Sequence, residues 1–121
     1  MVSVKAMNAQ AFAGAKLVRS IEIYHPVQPD PSDVIPRTDL AGVRIELQRL
    51  QPRDTVTVSM WNGDQPQGPP AFKHQVTRFG ARELADKAVF VRLPLTLEAA
   101  WHLVRVEVNG REVIDYRFVT Y

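Results

Sequence analysis

The chain has 121 residues, 45% of them hydrophobic, no cysteine and a formal net charge of +2. That length fits one domain spanning residues 1–121, and the hydrophobic share is too high for a disordered chain. Without cysteine there is no disulfide or thiolate chemistry, and a small net charge with both signs mixed along the chain argues against a nucleic-acid partner.

The opening residues Met1 to Met7 carry no charged leader followed by an apolar run. No stretch approaches the ~18–20 apolar residues that a membrane-spanning helix needs. The expectation is a cytoplasmic protein, or a secreted one if a leader has been removed. Val2 to Phe12 reads as a strand or, through its alanines, equally as a helix. Leu17 to Tyr24 is the next strand. His25 to Arg37 holds Pro26, Pro29, Pro31 and Pro36, so an extended, stiff connection follows. Val43, Ile45 and Leu47 then alternate with Arg44, Glu46 and Gln48, and Val56, Val58 and Met60 alternate with Thr55, Thr57 and Ser59. Period-two alternation of this kind marks half-buried strands. Asn62 to Pro70, with Gly63, Gly68 and three prolines, reads as a long loop. Phe72 to Phe79 is a weaker strand, and Ala81 to Lys87 is spaced for one helical turn. Val89, Val91, Leu93 and Leu95 alternate with Phe90 and Arg92. Pro94 lacks a donor, so this strand lies at an edge or ends there. Thr96 to Ala100 suits a short turn capped by Thr96.

The closing segment is the clearest. Val104, Val106 and Val108 alternate with Leu103, Arg105 and Glu107, then Asn109-Gly110 leads into a second alternating run to Tyr121. Asn-Gly between two such runs marks a hairpin, because a type I′ turn needs positive φ at both central residues. About seven short antiparallel strands in this order make an all-β protein, an immunoglobulin-like β-sandwich, with a barrel of the oligonucleotide-binding type as the alternative. The stretch from Leu93-Pro94-Leu95 through Trp101 to Val113 resembles the final strands of many prokaryotic immunoglobulin-like domains. In those, a leucine-rich strand leads through a short corner to an aromatic residue and a closing hairpin. The resemblance covers about a quarter of the chain. It implies a fold and no particular activity; a bacterial or phage origin is a separate expectation.

Chemistry is sparse. His25, His74 and His102 lie far apart and have no second ligand at metal-binding spacing. None of the four serines sits in a nucleophile elbow. Asp30, Asp33 and Asp39 near the proline-rich segment have the oxygens for calcium but lack the glycine and distal glutamate of a calcium loop, which leaves turn and cap roles as the ordinary account. No glycine-rich loop cradles a phosphate. The expectation is therefore no enzyme, no metal and no cofactor.

Trp61 falls on the parity of Thr55, Thr57 and Ser59, which face outward, and opens the Asn62–Pro70 loop. It either stands exposed, stacking on a sugar or anchoring a protein, or closes the core beneath that loop. Trp101 reads as core. Arg44, Arg92, Arg105 and Arg117 take outward positions, as a salt-bridged face or as a surface for an acidic partner. Eleven of the fifteen basic residues are arginine, a residue suited to interfaces. The candidate partner-binding residues are Trp61, Asn62, Asp64, His25, Arg105 and Arg117. The leading functional expectation is a non-catalytic protein-interaction or structural module, with a homo-oligomer open. The alternatives are a carbohydrate-binding module built on Trp61 and a barrel that binds single-stranded nucleic acid.

Overall fold

The computed structural model describes residues 3–121. Ten elements follow one another: α1 (Val4–Gly14), β1 (Val18–Tyr24), β2 (Val34–Ile35), β3 (Leu40–Leu47), β4 (Val56–Asn62), β5 (Phe72–Val76), α2 (Ala81–Asp86), β6 (Ala88–Pro94), β7 (Trp101–Val108) and β8 (Arg111–Thr120). The strands form a three-stranded sheet, β1-β3-β6, and a five-stranded sheet, β2-β8-β7-β4-β5. This is an all-β, sandwich-like architecture. The two sheets do not close into a barrel, so the barrel alternative and its nucleic-acid reading lose their scaffold.

Alternation in the sequence becomes alternation in burial in β3, β6 and β8, whereas β4 is buried on both faces, Thr57 and Ser59 included. Val43, Ile45 and Leu47 from β3, Val56, Val58 and Met60 from β4, and Val104, Val106 and Phe118 from the closing hairpin meet between the sheets. Burying such a set from both sheets is the main force holding them face to face. The hairpin turn has positive φ at both Asn109 and Gly110, as the Asn-Gly pair requires. Pro94 is the last residue of β6, an edge strand.

Three points have physical causes: the first decides which of two open states the N-terminal segment takes, and the other two depart from the sequence reading. The N-terminal segment is a helix from Val4, capped by the Ser3 hydroxyl, which accepts from the Ala6 N–H at 3.1 Å. The helix lies along the free edge of β8. There the buried Asn8 carboxamide accepts from the Arg117 N–H at 2.8 Å and donates to the Arg117 carbonyl at 2.7 Å, as a neighbouring strand would. Asn8 also donates to Asp33, which accepts the Tyr116 hydroxyl, so Asp33 serves as a structural acceptor here. Second, the proline-rich segment contains β2, which pairs parallel with β8, so the strands are not all antiparallel. Third, Thr96 accepts from the Asn62 side chain at 2.9 Å instead of capping its own turn, which closes through Ala99 N–H to Thr96 O.

The connections divide between two ends. Residues 25–39, 63–71 and 95–100 gather at one, the loop-rich end, where Leu95 N–H bonds Asp39 O and Thr120 N–H bonds Ala100 O. Residues 15–17, 48–55, 77–87 and 109–110 gather at the other, the hairpin end, where Gln48 N–H bonds Leu17 O and Asn109 N–H bonds Thr55 O. No helix among the described residues is long and apolar enough to cross a membrane.

Candidate functional site

Five of the six residues singled out from the sequence come together around the β4–β5 loop. Trp61 keeps its outward parity, in the row Trp61, Leu103, Arg117 across β4, β7 and β8. It is not exposed, however. Only 9% of it meets solvent, because the loop folds back over it and its indole N–H donates to the Gly68 carbonyl at 3.0 Å. Arg105 covers the ring from the strand side, its guanidinium carbon 5.1 Å from the ring centroid. That guanidinium is itself held by both Asp115 oxygens, at 2.8 and 3.0 Å, and by Glu112 at 2.9 Å.

Arg117 donates from Nε to the Asp64 carbonyl at 2.8 Å and so ties the loop down. The Asn62 side chain donates to Thr96 and meets the His102 Nδ1 at 3.0 Å through its oxygen. The cluster therefore works as scaffolding for the loop. Trp61 offers no free ring face on which a sugar could stack. His25 is not part of this cluster.

His102 is fully buried, pointing inward at the loop-rich end and stacked on Phe118 with ring centroids 4.9 Å apart. Asn62 commits its amide nitrogen to Thr96, so its oxygen accepts and His102 Nδ1 carries the proton. Nε2 is buried without a hydrogen-bond partner. Burial pushes the imidazole below its ordinary pKa, against the opposing pull of the Ala99 backbone and with a smaller push from the Arg37 charge. The ring is a neutral packing element. Trp101, read as core from the sequence, is half-buried.

His25 belongs to a different surface. Its Nδ1 accepts from the Val27 N–H at 3.2 Å, and it borders a cavity of about 320 Å³ with Tyr24, Pro26, Leu40, Phe90 and Arg92. This surface is the outer face of β1-β3-β6. Register places Tyr24, Gly42 and Arg92 in one row and Glu22, Arg44 and Phe90 in the next. Arg44 is neutralised by Glu46 at 2.9 Å and Glu22 at 3.6 Å. Phe90 is 53% exposed, and its ring lies across Gly42, where any Cβ would collide with it. Tyr24 packs beside it, centroids 6.2 Å apart, and Leu40 is 40% exposed at the edge.

Phe90 and Gly42 escaped the sequence reading, although Phe90 stands at outward parity between Val89 and Val91. An aromatic residue at an outward position beside the charged Arg44 and Arg92 was the available signal. Gly42 carries no pattern of its own; its role appears only when the neighbouring strand is placed beside it.

Among the described residues no group of three or more His, Asp or Glu side chains is arranged to hold a metal ion. No protein-family model matches the chain, and comparison with curated proteins finds no match.

Proposed function

We propose that this chain is a non-catalytic protein-interaction module of immunoglobulin-like sandwich type, which takes its partner on the Phe90–Leu40–Tyr24 surface and the adjoining loop-rich end. The observation that carries this reading is the distribution of exposed apolar side chains. Among the described residues, the large ones that stand exposed are Val27, Val34, Leu40, Phe90, Leu97 and Tyr121. Five of these belong to the loop-rich end, and Phe90 lies on the outer face that leads to it. Scattered apolar exposure is ordinary, whereas a concentration at one end marks a contact surface.

Charge narrows the partner. Asp30, Asp39, Asp64 and Glu98 stand exposed in the connections of the loop-rich end, while His25 and Arg92 line the Phe90 surface itself and Arg37 bonds the Leu97 carbonyl. The complementary surface has an apolar centre and a polar rim carrying both signs of charge. Proline stiffening of residues 25–37 lowers the ordering cost of binding.

The reading is tested with a photo-crosslinking residue placed at Phe90 and, as a control, at Gln75 on β5. A single protein adduct from position 90 and none from position 75 is the expected result. Equal labelling from both positions, or binding to glycans in place of protein, would overturn it. Phe90→Ala should weaken the captured complex by roughly 2 kcal/mol, the hot-spot range.

A further inference from the structure

We infer that the hairpin end holds a binding site for a phosphate-bearing anion, in the cavity bounded by Arg49, Arg53 and Arg111. The cavity measures about 540 Å³ and lies between the β3–β4 connection and the start of β8. Its floor is rigid. Asp54 accepts the Gln51 N–H at 2.9 Å through one oxygen and the Asn109 amide at 3.1 Å through the other. Asn109 in turn accepts the Thr55 N–H at 2.9 Å and donates its own N–H to the Thr55 carbonyl at 2.8 Å.

Electrostatics sets the sign of the ligand. Three guanidinium groups face one carboxylate, and uncharged donors already occupy both of its oxygens. The Asn109 bond and then the Gln51 bond hold the Asp54 carboxyl below the usual range, with the charges of Arg53 and Arg49 adding to the effect. Both arginines therefore direct their field into this cavity. Yet among the described residues neither they nor Arg111 form an ion pair with any carboxylate. Among the sandwich-face arginines, Arg44 and Arg105 each engage two carboxylates, whereas Arg117 holds only the Asp64 carbonyl and Arg92 has no ion pair among the described residues.

Guanidinium groups bind phosphate through paired, charge-assisted hydrogen bonds, and a site of surplus positive charge on a fixed floor is preorganised for such a ligand. Leu17, Val108 and Val113 supply an apolar wall beside the charges, so the site has room for an organic carrier as well as its phosphate. No glycine loop or helix N-terminus takes part. Turns distant in sequence assemble the site.

The test is a titration of the full chain with inorganic pyrophosphate at low ionic strength, followed by amide chemical shifts. Saturable shifts confined to residues 49–54 and 108–113 are expected. Arg53→Ala and Arg111→Ala should each weaken binding by roughly tenfold or more, the loss expected for a charged hydrogen bond. Both residues are exposed, so an unchanged melting temperature will establish that the variants fold. Arg82→Ala removes a charge at the same end but outside the cavity and should change the affinity by less than about twofold. Non-saturating shifts would overturn the inference, as would the same shifts from sodium chloride at matched ionic strength. An Arg82→Ala effect equal to that of Arg53→Ala would also overturn it, because it would mean a diffuse basic end without a site.

Discussion

The two ends of the sandwich are built from the same kind of material, connections between antiparallel strands, and they differ in what covers them. At the loop-rich end the long connections turn inward. Trp61 is sealed by its own loop, His102 is enclosed beside Phe118, and apolar side chains that find no place inside are left exposed. At the hairpin end the 48–55 and 109–110 connections are tightly bonded to each other, and three arginines line a cavity whose one carboxylate, Asp54, is already held by uncharged donors. A long loop has enough chain to cover a tryptophan; a two-residue turn has none and leaves its neighbours wet. The ends therefore differ in stability as well as in charge, and each difference can be measured.

The largest effect belongs to the tryptophan seal. Trp61→Ala removes the side chain on which the β4–β5 loop closes and leaves Arg105 without its aromatic face. A loss of about 3–5 kcal/mol is expected in chemical denaturation, together with faster proteolysis between Gly63 and Pro70. A loss below about 1 kcal/mol would mean that the loop, not the ring, holds this end.

At the hairpin end, Gly110→Val puts a β-branched side chain at φ +80°. The expected cost is about 1–3 kcal/mol, read as a lower denaturation midpoint. The strain is local, so binding of anions at Arg49 and Arg53 should weaken with it, while crosslinking from position 90 should not change. If both fail together, the two ends are not independent.

Comparing these two residues also shows what a sequence discloses. Asn109-Gly110 is legible because a turn of two residues is decided by those residues alone. The strand parities are legible for a similar reason: period two is local, and it placed Val56, Val58, Met60, Val104 and Val106 correctly in the core. Trp61 was legible only in part. Its parity is local, but its burial depends on a loop returning from Gly68. The Asn8 contact with Arg117, the two-residue pairing of β2 with β8, and the convergence of Arg49, Arg53 and Arg111 all join segments remote in the chain. No periodicity records them.

His102 makes the loop-rich end sensitive to acid. It is neutral in the fold and has its pKa lowered by burial, whereas in the unfolded chain it titrates near the ordinary value of about 6.5. Stability from this group is complete above that value and is lost as pH falls below it, by at most about 1.4 kcal/mol per pH unit. Denaturation midpoints between about pH 6.5 and 5 should therefore fall for the native chain. They should fall less steeply in His102→Gln, which keeps a polar side chain beside Asn62 and has no proton to gain. Parallel slopes for the two proteins would locate the acid sensitivity elsewhere.

The smallest effects on stability are expected on the Phe90 surface, and that smallness is the point. Phe90→Ala removes a ring that is half in water, so it should cost less than about 1 kcal/mol. Gly42→Ala acts from beneath. Gly42 does not have the positive φ that strains an alanine, so the backbone accepts the methyl group, but Phe90 must swing off the sheet to make room. In the native background the two changes should each leave the melting temperature nearly unmoved and each weaken partner capture. Combined, they should not add, because once the ring is gone the alanine at position 42 has nothing to displace. In the Phe90→Ala background, Gly42→Ala should even stabilise the fold by about 0.4–1 kcal/mol through its effect on the unfolded chain. Additive losses of binding would mean that the two residues touch the partner separately, and the ring held flat over a glycine would not be the contact surface.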